Sequence, residues 1–128
     1  MAQPGSFELT FEDVGDGVRI IVLTGEADRF RTDDVSTAIE AARGDGRDVV
    51  VDLSAATYLD SSMLAVLVAA SEQGRRRAER LVVLCETPRL RRSLTLKGLE
   101  SILYLAETRD HAVAIAAGEG ESPVPEQG

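Results

Sequence analysis

Tryptophan is absent from the 128 residues, cysteine and histidine occur once each, and aromatic residues amount to 4%. Each shortage removes a class of chemistry. With Cys85 alone, no internal disulfide forms, which fits a reducing compartment. No CxxC pair or Cys/His cluster is present to hold zinc, and no P-loop to cradle a nucleotide. A Ser-His-Asp triad would have to use His111, late in the chain, and no Gly-x-Ser-x-Gly elbow surrounds Ser61 or Ser62. Long apolar runs are missing too: the longest, Met63 to Ala70, is far too short to span a bilayer. The start, Met1 to Ser6 (MAQPGS), has neither a basic n-region nor an apolar h-region. The expectation is a cytoplasmic protein with no membrane span, no metal and no cofactor, and not an enzyme.

Positive charge is also in short supply. Fourteen basic residues face 22 acidic ones, a net charge of −8. A nucleic-acid binder needs a basic face to meet phosphates, so direct nucleic-acid binding is disfavoured. The acidic surplus suits a partner with a basic surface.

What remains is an ordinary soluble mix, 44% apolar and 28% charged, in a length that makes one domain with a real core. Residues 1–6 and 118–128 are rich in Gly, Pro, Ser and Glu and read as a flexible N-terminal and a disordered C-terminal tail. The folded domain is expected over 7–117. Phe7, Leu9 and Phe11 alternate with Glu8, Thr10 and Glu12, the pattern of a half-buried strand. Gly15-Asp16-Gly17 turns the chain into a second strand, Val18 to Leu23, making a hairpin. Thr32 is placed to cap a helix carrying Val35, Ala38, Ile39 and Ala42 at helical spacing, and Gly44 and Gly46 end it. Val49 to Leu53 is a buried strand. Leu64, Leu67, Val68 and Ser71, widened by Met63, Val66 and Ala70, stripe a second helix. Leu81 to Cys85 is the next strand, and Thr87-Pro88 opens a third helix that closes at Gly98. Ile102 to Leu105 and Asp110 to Ala117 complete the order β-β-α-β-α-β-α-β-α. This predicts an α/β fold with a mixed, mostly parallel sheet of about five strands and about four helices.

The stretch Val49 to Leu64 (VVVDLSAATYLDSSML) carries the chemistry. A buried strand leads through a short loop to Asp60-Ser61-Ser62, which opens an apolar helix. Asp60 or Ser61 can cap that helix. A helix start presents unpaired N–H groups and the positive dipole end, which would stabilise a phosphoryl group there. Phosphorylation would add a charge of about −1.5 to −2. The same residues are also what a plain helix cap needs, and local physics does not choose between Ser61 and Ser62 as acceptor.

Asp60-Ser61-Ser62 after a strand ending Asp-Leu-Ser resembles the hallmark of the STAS domain, the sulfate transporter and anti-sigma factor antagonist family. The resemblance extends over roughly Leu9 to Leu105. Leu23-Thr24-Gly25-Glu26-Ala27-Asp28 is similar to the family's strand ending, and Val82-Val83-Leu84-Cys85 to its fourth strand. Pro88 to Leu94, followed by Gly98-Leu99, is similar to its third helix and Gly-Leu ending. The resemblance implies a STAS-like fold and a partner-switching mechanism. An unphosphorylated antagonist binds an anti-sigma factor that is also a serine protein kinase, and the sigma factor is freed. The kinase then phosphorylates the first serine of the motif, here Ser61, and the complex separates until a phosphatase resets it. Asp28, Asp60, Ser62 and Met63 would belong to the partner-facing surface. Weak self-association is compatible with this scheme. Two departures stand out. Met63 replaces the family's usual Gly, and Ala78-Glu79 occupies a connection that usually carries a Gly pair, after the run Arg75-Arg76-Arg77. The Arg run reads as a solvated helix end near the negative dipole terminus. The competing implication is a STAS docking subunit of a signalling or lipid-transport assembly, acting without phosphorylation.

Overall fold

A computed structural model describes residues 6–15 and 17–118. The expected tails lie for the most part outside the described residues. Their inner ends, Ser6 and Gly118, do not: the Ser6 carbonyl accepts from Glu26 N–H (2.9 Å), and Gly118 N–H donates to Ile115 (3.0 Å).

The elements are β1 (Phe7–Val14), β2 (Val18–Ala27), α1 (Thr32–Gly44), β3 (Asp48–Asp52), β4 (Ala56–Leu59), α2 (Ser61–Arg76), β5 (Leu81–Leu84), α3 (Pro88–Leu96), β6 (Tyr104–Ala106) and α4 (Arg109–Ala116). Short 3₁₀ turns at Arg29–Arg31 and Leu99–Ser101 precede α1 and β6. The sheet runs β1-β2-β3-β5-β6, with β1 antiparallel to β2 and the remaining pairs parallel. This is the expected mixed α/β architecture with one strand more than the pattern predicts. The pattern leaves β4 as loop, because four half-exposed residues give no alternation to detect.

The sheet is covered unequally. Met63, Leu64 and Leu67 of α2 join Val35 and Ile39 of α1, Leu94 of α3 and the β-branched residues Ile21, Val49, Val51 and Val83 in the larger core cluster. Burying each large aliphatic side chain contributes about 2 kcal/mol before the entropy of ordering is set against it. On the opposite face, Ala112 and Ile115 of α4 pack on Ile20, Val50, Val82 and Leu84. The sheet residues that alternate between these clusters explain why β3 and β5 read as continuous apolar runs.

β2 divides its second edge between two strands. Val18 to Val22 pair with β3, whereas Gly25, Glu26 and Ala27 pair with Ala56, Tyr58 and Leu59 of β4. The transfer occurs at Gly25, where the register shifts and φ is +92°. A β-carbon built there would stand 2.3 Å from the Ser6 carbonyl oxygen. Glycine is therefore required both by the backbone angle and by the close approach of the neighbouring chain.

The far end of α2 closes in a Schellman turn, with Glu79 N–H on the Gly74 carbonyl (2.7 Å) and Ala78 N–H on Arg75 (3.3 Å). The left-handed position of that motif, φ +59°, is held by Ala78, where glycine is free of steric cost. Earlier in the same turn, Gly74 makes room for Arg43. This arginine is buried, donates to the Ala70 carbonyl (2.7 Å) and lies 3.4 Å from Glu79. A β-carbon at position 74 would meet its guanidinium at 2.5 Å.

Two substitutions at left-handed positions should shift stability in opposite directions. Gly25→Ala is expected to cost about 2 kcal/mol or more through strain and the Ser6 clash, whereas Ala78→Gly should gain about 1 kcal/mol. Urea unfolding midpoints at constant slope measure both, and a neutral Ala78→Gly would contradict the strained turn.

Candidate functional site

β4 leads directly into the helix that carries the serines. Asp60, extended at φ −77° and ψ 149°, is the N-cap of α2. Its backbone N–H is tied to the Ala27 carbonyl at the end of β2 (3.1 Å), and its side-chain Oδ1 accepts from Ser62 N–H (2.8 Å). Its carbonyl accepts the first helical bonds, from Met63 and Leu64. Of the two capping candidates, Asp60 makes the cap. Ser61 and Ser62 then occupy the first two helical positions, both exposed.

Asp28 reaches the same end of the molecule because β2 and β4 are neighbours and finish together. It is half-buried, and its Oδ1 accepts from Phe30 N–H (2.9 Å), capping the 3₁₀ turn that feeds α1. Thr32, expected to cap α1, instead donates its hydroxyl to the Arg29 carbonyl (3.1 Å). The 3₁₀ turn runs straight into the helix, so the capping role moves four residues upstream. Thr87 likewise sits at the N-cap of α3 without a side-chain cap bond, whereas Thr108 does cap α4 through His111 N–H.

The family resemblance puts Met63 on the partner-facing surface, whereas the apolar stripe of α2 puts it in the core; the structure follows the stripe, for Met63 has no exposed surface and lies between α2 and the sheet. The third position of the helix points inward, so the side chain packs and offers a partner nothing. The structure thus gathers Asp28, Asp60, Ser61 and Ser62 at one end and removes Met63 from the group.

The electrostatics follow from the cap. The Ser62 backbone N–H is the main cause that holds the Asp60 carboxyl below its ordinary range; desolvation opposes it, and the Ser62 hydroxyl, Arg29 and the Tyr58 hydroxyl add smaller lowering effects. Asp60 is therefore an anion at neutral pH, immediately before Ser61. Next to Ser61, along the open side of α2, runs a shallow trough of about 450 Å³, lined by Ala65, Val68, Ala69, Leu99 and Ile102. The larger groove of about 640 Å³ lies elsewhere, between α3, β6 and α4, and is lined by Arg91, Thr108 and His111 among others.

His111 is on α4, which packs on the sheet face opposite to α2. Burial pushes the Cys85 thiol up and leaves it protonated, with its sulfur near the Thr87 carbonyl (3.5 Å). Among the described residues, no group of His, Cys, Asp and Glu is arranged to hold a metal, and no helix is long and apolar enough to cross a membrane. Arg75, from the triple-Arg run, bonds the Ile102 carbonyl and lies over Tyr104, while Arg77 approaches Glu79 (3.9 Å).

A sheet with one antiparallel edge strand, three helices on one face, a single helix on the other and a capped helix start bearing two exposed serines defines a class of small mixed α/β domain. The profile of the family described as "Mlab, STAS domain" matches residues 12–105, well over half of the chain, and the chain belongs to the STAS-domain family. An anti-sigma factor antagonist from Mycobacterium paratuberculosis is 31% identical, with 91% of this chain and 99% of that one aligned and a TM-score of 0.78. The Bacillus cell-fate determinant SpoIIAA in its phosphorylated form is 21% identical over 84% of this chain and 98% of its own (TM-score 0.64). SpoIIAA in its unphosphorylated form is 18% identical over 89% and 100% (TM-score 0.66). No curated protein sequence matches the chain.

The cap has a measurable pH signature. Because the folded-state pKa of Asp60 is depressed, its contribution is fully present above the unfolded carboxylate value, near 3.9. It is lost as pH falls through the lower folded value. Asp60→Ala should therefore lower the melting temperature at pH 7 more than Asp60→Asn, which keeps an acceptor, and the difference between wild type and Asp60→Ala should shrink in strong acid. Thermal melts across pH 2–7 read this out.

Proposed function

We propose that this chain is an anti-sigma factor antagonist switched by phosphorylation at Ser61. In the unphosphorylated form it binds an anti-sigma factor that is itself a serine kinase, and the sigma factor is released. The kinase supplies ATP and the catalytic groups, and transfers a phosphoryl group to Ser61. The complex then separates, and a phosphatase restores the active form. The reading places these events in the cytoplasm and requires no cofactor of the antagonist's own.

The observation that carries the proposal is the exposed Ser61 hydroxyl at the first position of a helix whose cap, Asp60, is a fixed anion. An exposed serine on a rigid support is accessible to a kinase. Once modified, it sets a charge of about −1.5 to −2 beside the Asp60 carboxylate, at the end that also holds Asp28. Like charges gathered at the centre of an interface, with their water removed, weaken it strongly. The helix N-terminus stabilises the phosphate within the free protein, which favours separation further. The Ser62 backbone N–H is already engaged with the Asp60 carboxylate, which ties the second serine into the cap. The burial of Met63 also supports this reading, since no bulky side chain stands at the serine in place of the usual Gly.

After incubation with ATP and a cognate anti-sigma kinase shown to be active, peptide mass spectrometry should find one phosphate, on Ser61. Ser61→Ala should bind the kinase and resist ATP-dependent release, and Ser61→Asp should bind about tenfold or more weakly by calorimetry. Phosphate on Ser62 alone, or tight binding by Ser61→Asp, would sink the switch. An unmodified chain whose complex survives ATP would mark a docking subunit that works without phosphorylation.

A further inference from the structure

We propose that Phe30 is the apolar anchor through which the kinase grips this protein, so that affinity and phosphorylation state are read by different residues. The inference rests on the partner reading above. Phe30 is 74% exposed, an uncommon state for so large an apolar residue. A single exposed apolar residue is unremarkable in itself, and Phe11, 57% exposed on the edge strand β1, is such a case. Phe30 differs in how it is held and where it stands.

It sits at the middle of the 3₁₀ turn Arg29–Arg31, which three hydrogen bonds fix: Phe30 N–H to the Asp28 carboxylate (2.9 Å), Arg31 N–H to the Asp28 carbonyl (3.0 Å) and the Thr32 hydroxyl to the Arg29 carbonyl (3.1 Å). The Arg29 guanidinium lies 4.9 Å from the centre of its ring. The turn packs against α2, and Arg29 is close enough to Asp60 to help lower its pKa, so the ring belongs to the Ser61 end of the molecule. An aromatic side chain on a fixed backbone loses little freedom on docking, which is why such residues dominate interface energies. Asp28 then acts as a positioning residue: its carboxylate builds the pedestal on which Phe30 stands. Arg29 and Arg31 flank the ring on the turn itself, and Asp33 and Asp34 follow in the first turn of α1, so the anchor has a border of mixed charge. The matching surface on the kinase is an apolar socket.

The test compares Phe30→Ala, Phe30→Leu and the control Phe11→Ala for kinase binding by calorimetry and for Ser61 phosphorylation kinetics. Phe30→Ala should weaken binding about tenfold or more and raise KM, while kcat at saturation stays near wild type. Phe30→Leu should recover most of the loss, and Phe11→Ala should behave as wild type. Melting temperatures verify that the variants fold; should Phe30→Ala fail to fold, Phe30→Ser decides the point in the same assays. Binding by Phe30→Ala within about twofold of wild type, or an equal loss in Phe11→Ala, overturns the anchor while leaving the Ser61 switch intact. A wild-type chain that binds no anti-sigma kinase overturns both.

Discussion

Everything at the serine end depends on how β2 shares its edge. Were β2 to continue alongside β3 through its full length, the segment after β3 would have no strand partner, and Asp60 would have no fixed position. Instead Gly25 turns the backbone into the left-handed region, the pairing passes to β4, and Ala27 takes the Asp60 N–H. Two strands that end together then deliver two acids, Asp28 and Asp60, to one surface. Each spends a carboxylate oxygen on a backbone donor two residues ahead, so each organises the turn that follows it.

This division of labour bears on how a phosphate would act. The Asp60 carboxylate is not a spare charge awaiting a partner; it is already committed to the start of α2. A dianion on Ser61 would therefore add to a fixed negative charge rather than displace it. At the other end of α2 a charge is buried at a cost. Arg43 is enclosed between α1 and α2, where desolvation outweighs the attraction of Glu79 and lowers its pKa; the Ala70 carbonyl accepts from one of its N–H groups, and Gly74 supplies the space. Breaking such an enclosed arrangement by removing one partner leaves a desolvated group exposed to no solvent, which is more costly than losing a surface pair.

Some elements were legible because one local pattern specifies them. The stripes of α1 and α2, the β-branched run of β3 and the apolar β5 each carry their own signal, and each lies within a residue or two of its expected bounds. Others were not, because their cause is distant in sequence. β4 exists only because the end of β2 is free to receive it. Thr32 lost its expected capping role to Asp28 because the 3₁₀ turn between them was invisible to helical periodicity. For Met63 two readings compete, the apolar stripe of α2 and the Asp-Ser-Ser motif beside it, and packing of α2 against the sheet decides for the stripe.

The amino-acid sequence alone determined the alternation of strands and helices, the mixed sheet, the poverty of catalytic and metal-binding groups, and the helix start at Asp60-Ser61-Ser62. These follow from periodicity, composition and capping preference, all of which act over a few residues. Tertiary structure decided which acid caps which turn, which side of α2 faces water and why Gly25 must be glycine. Those outcomes depend on strand partners and packing contacts far apart along the chain, whose energies no local pattern contains.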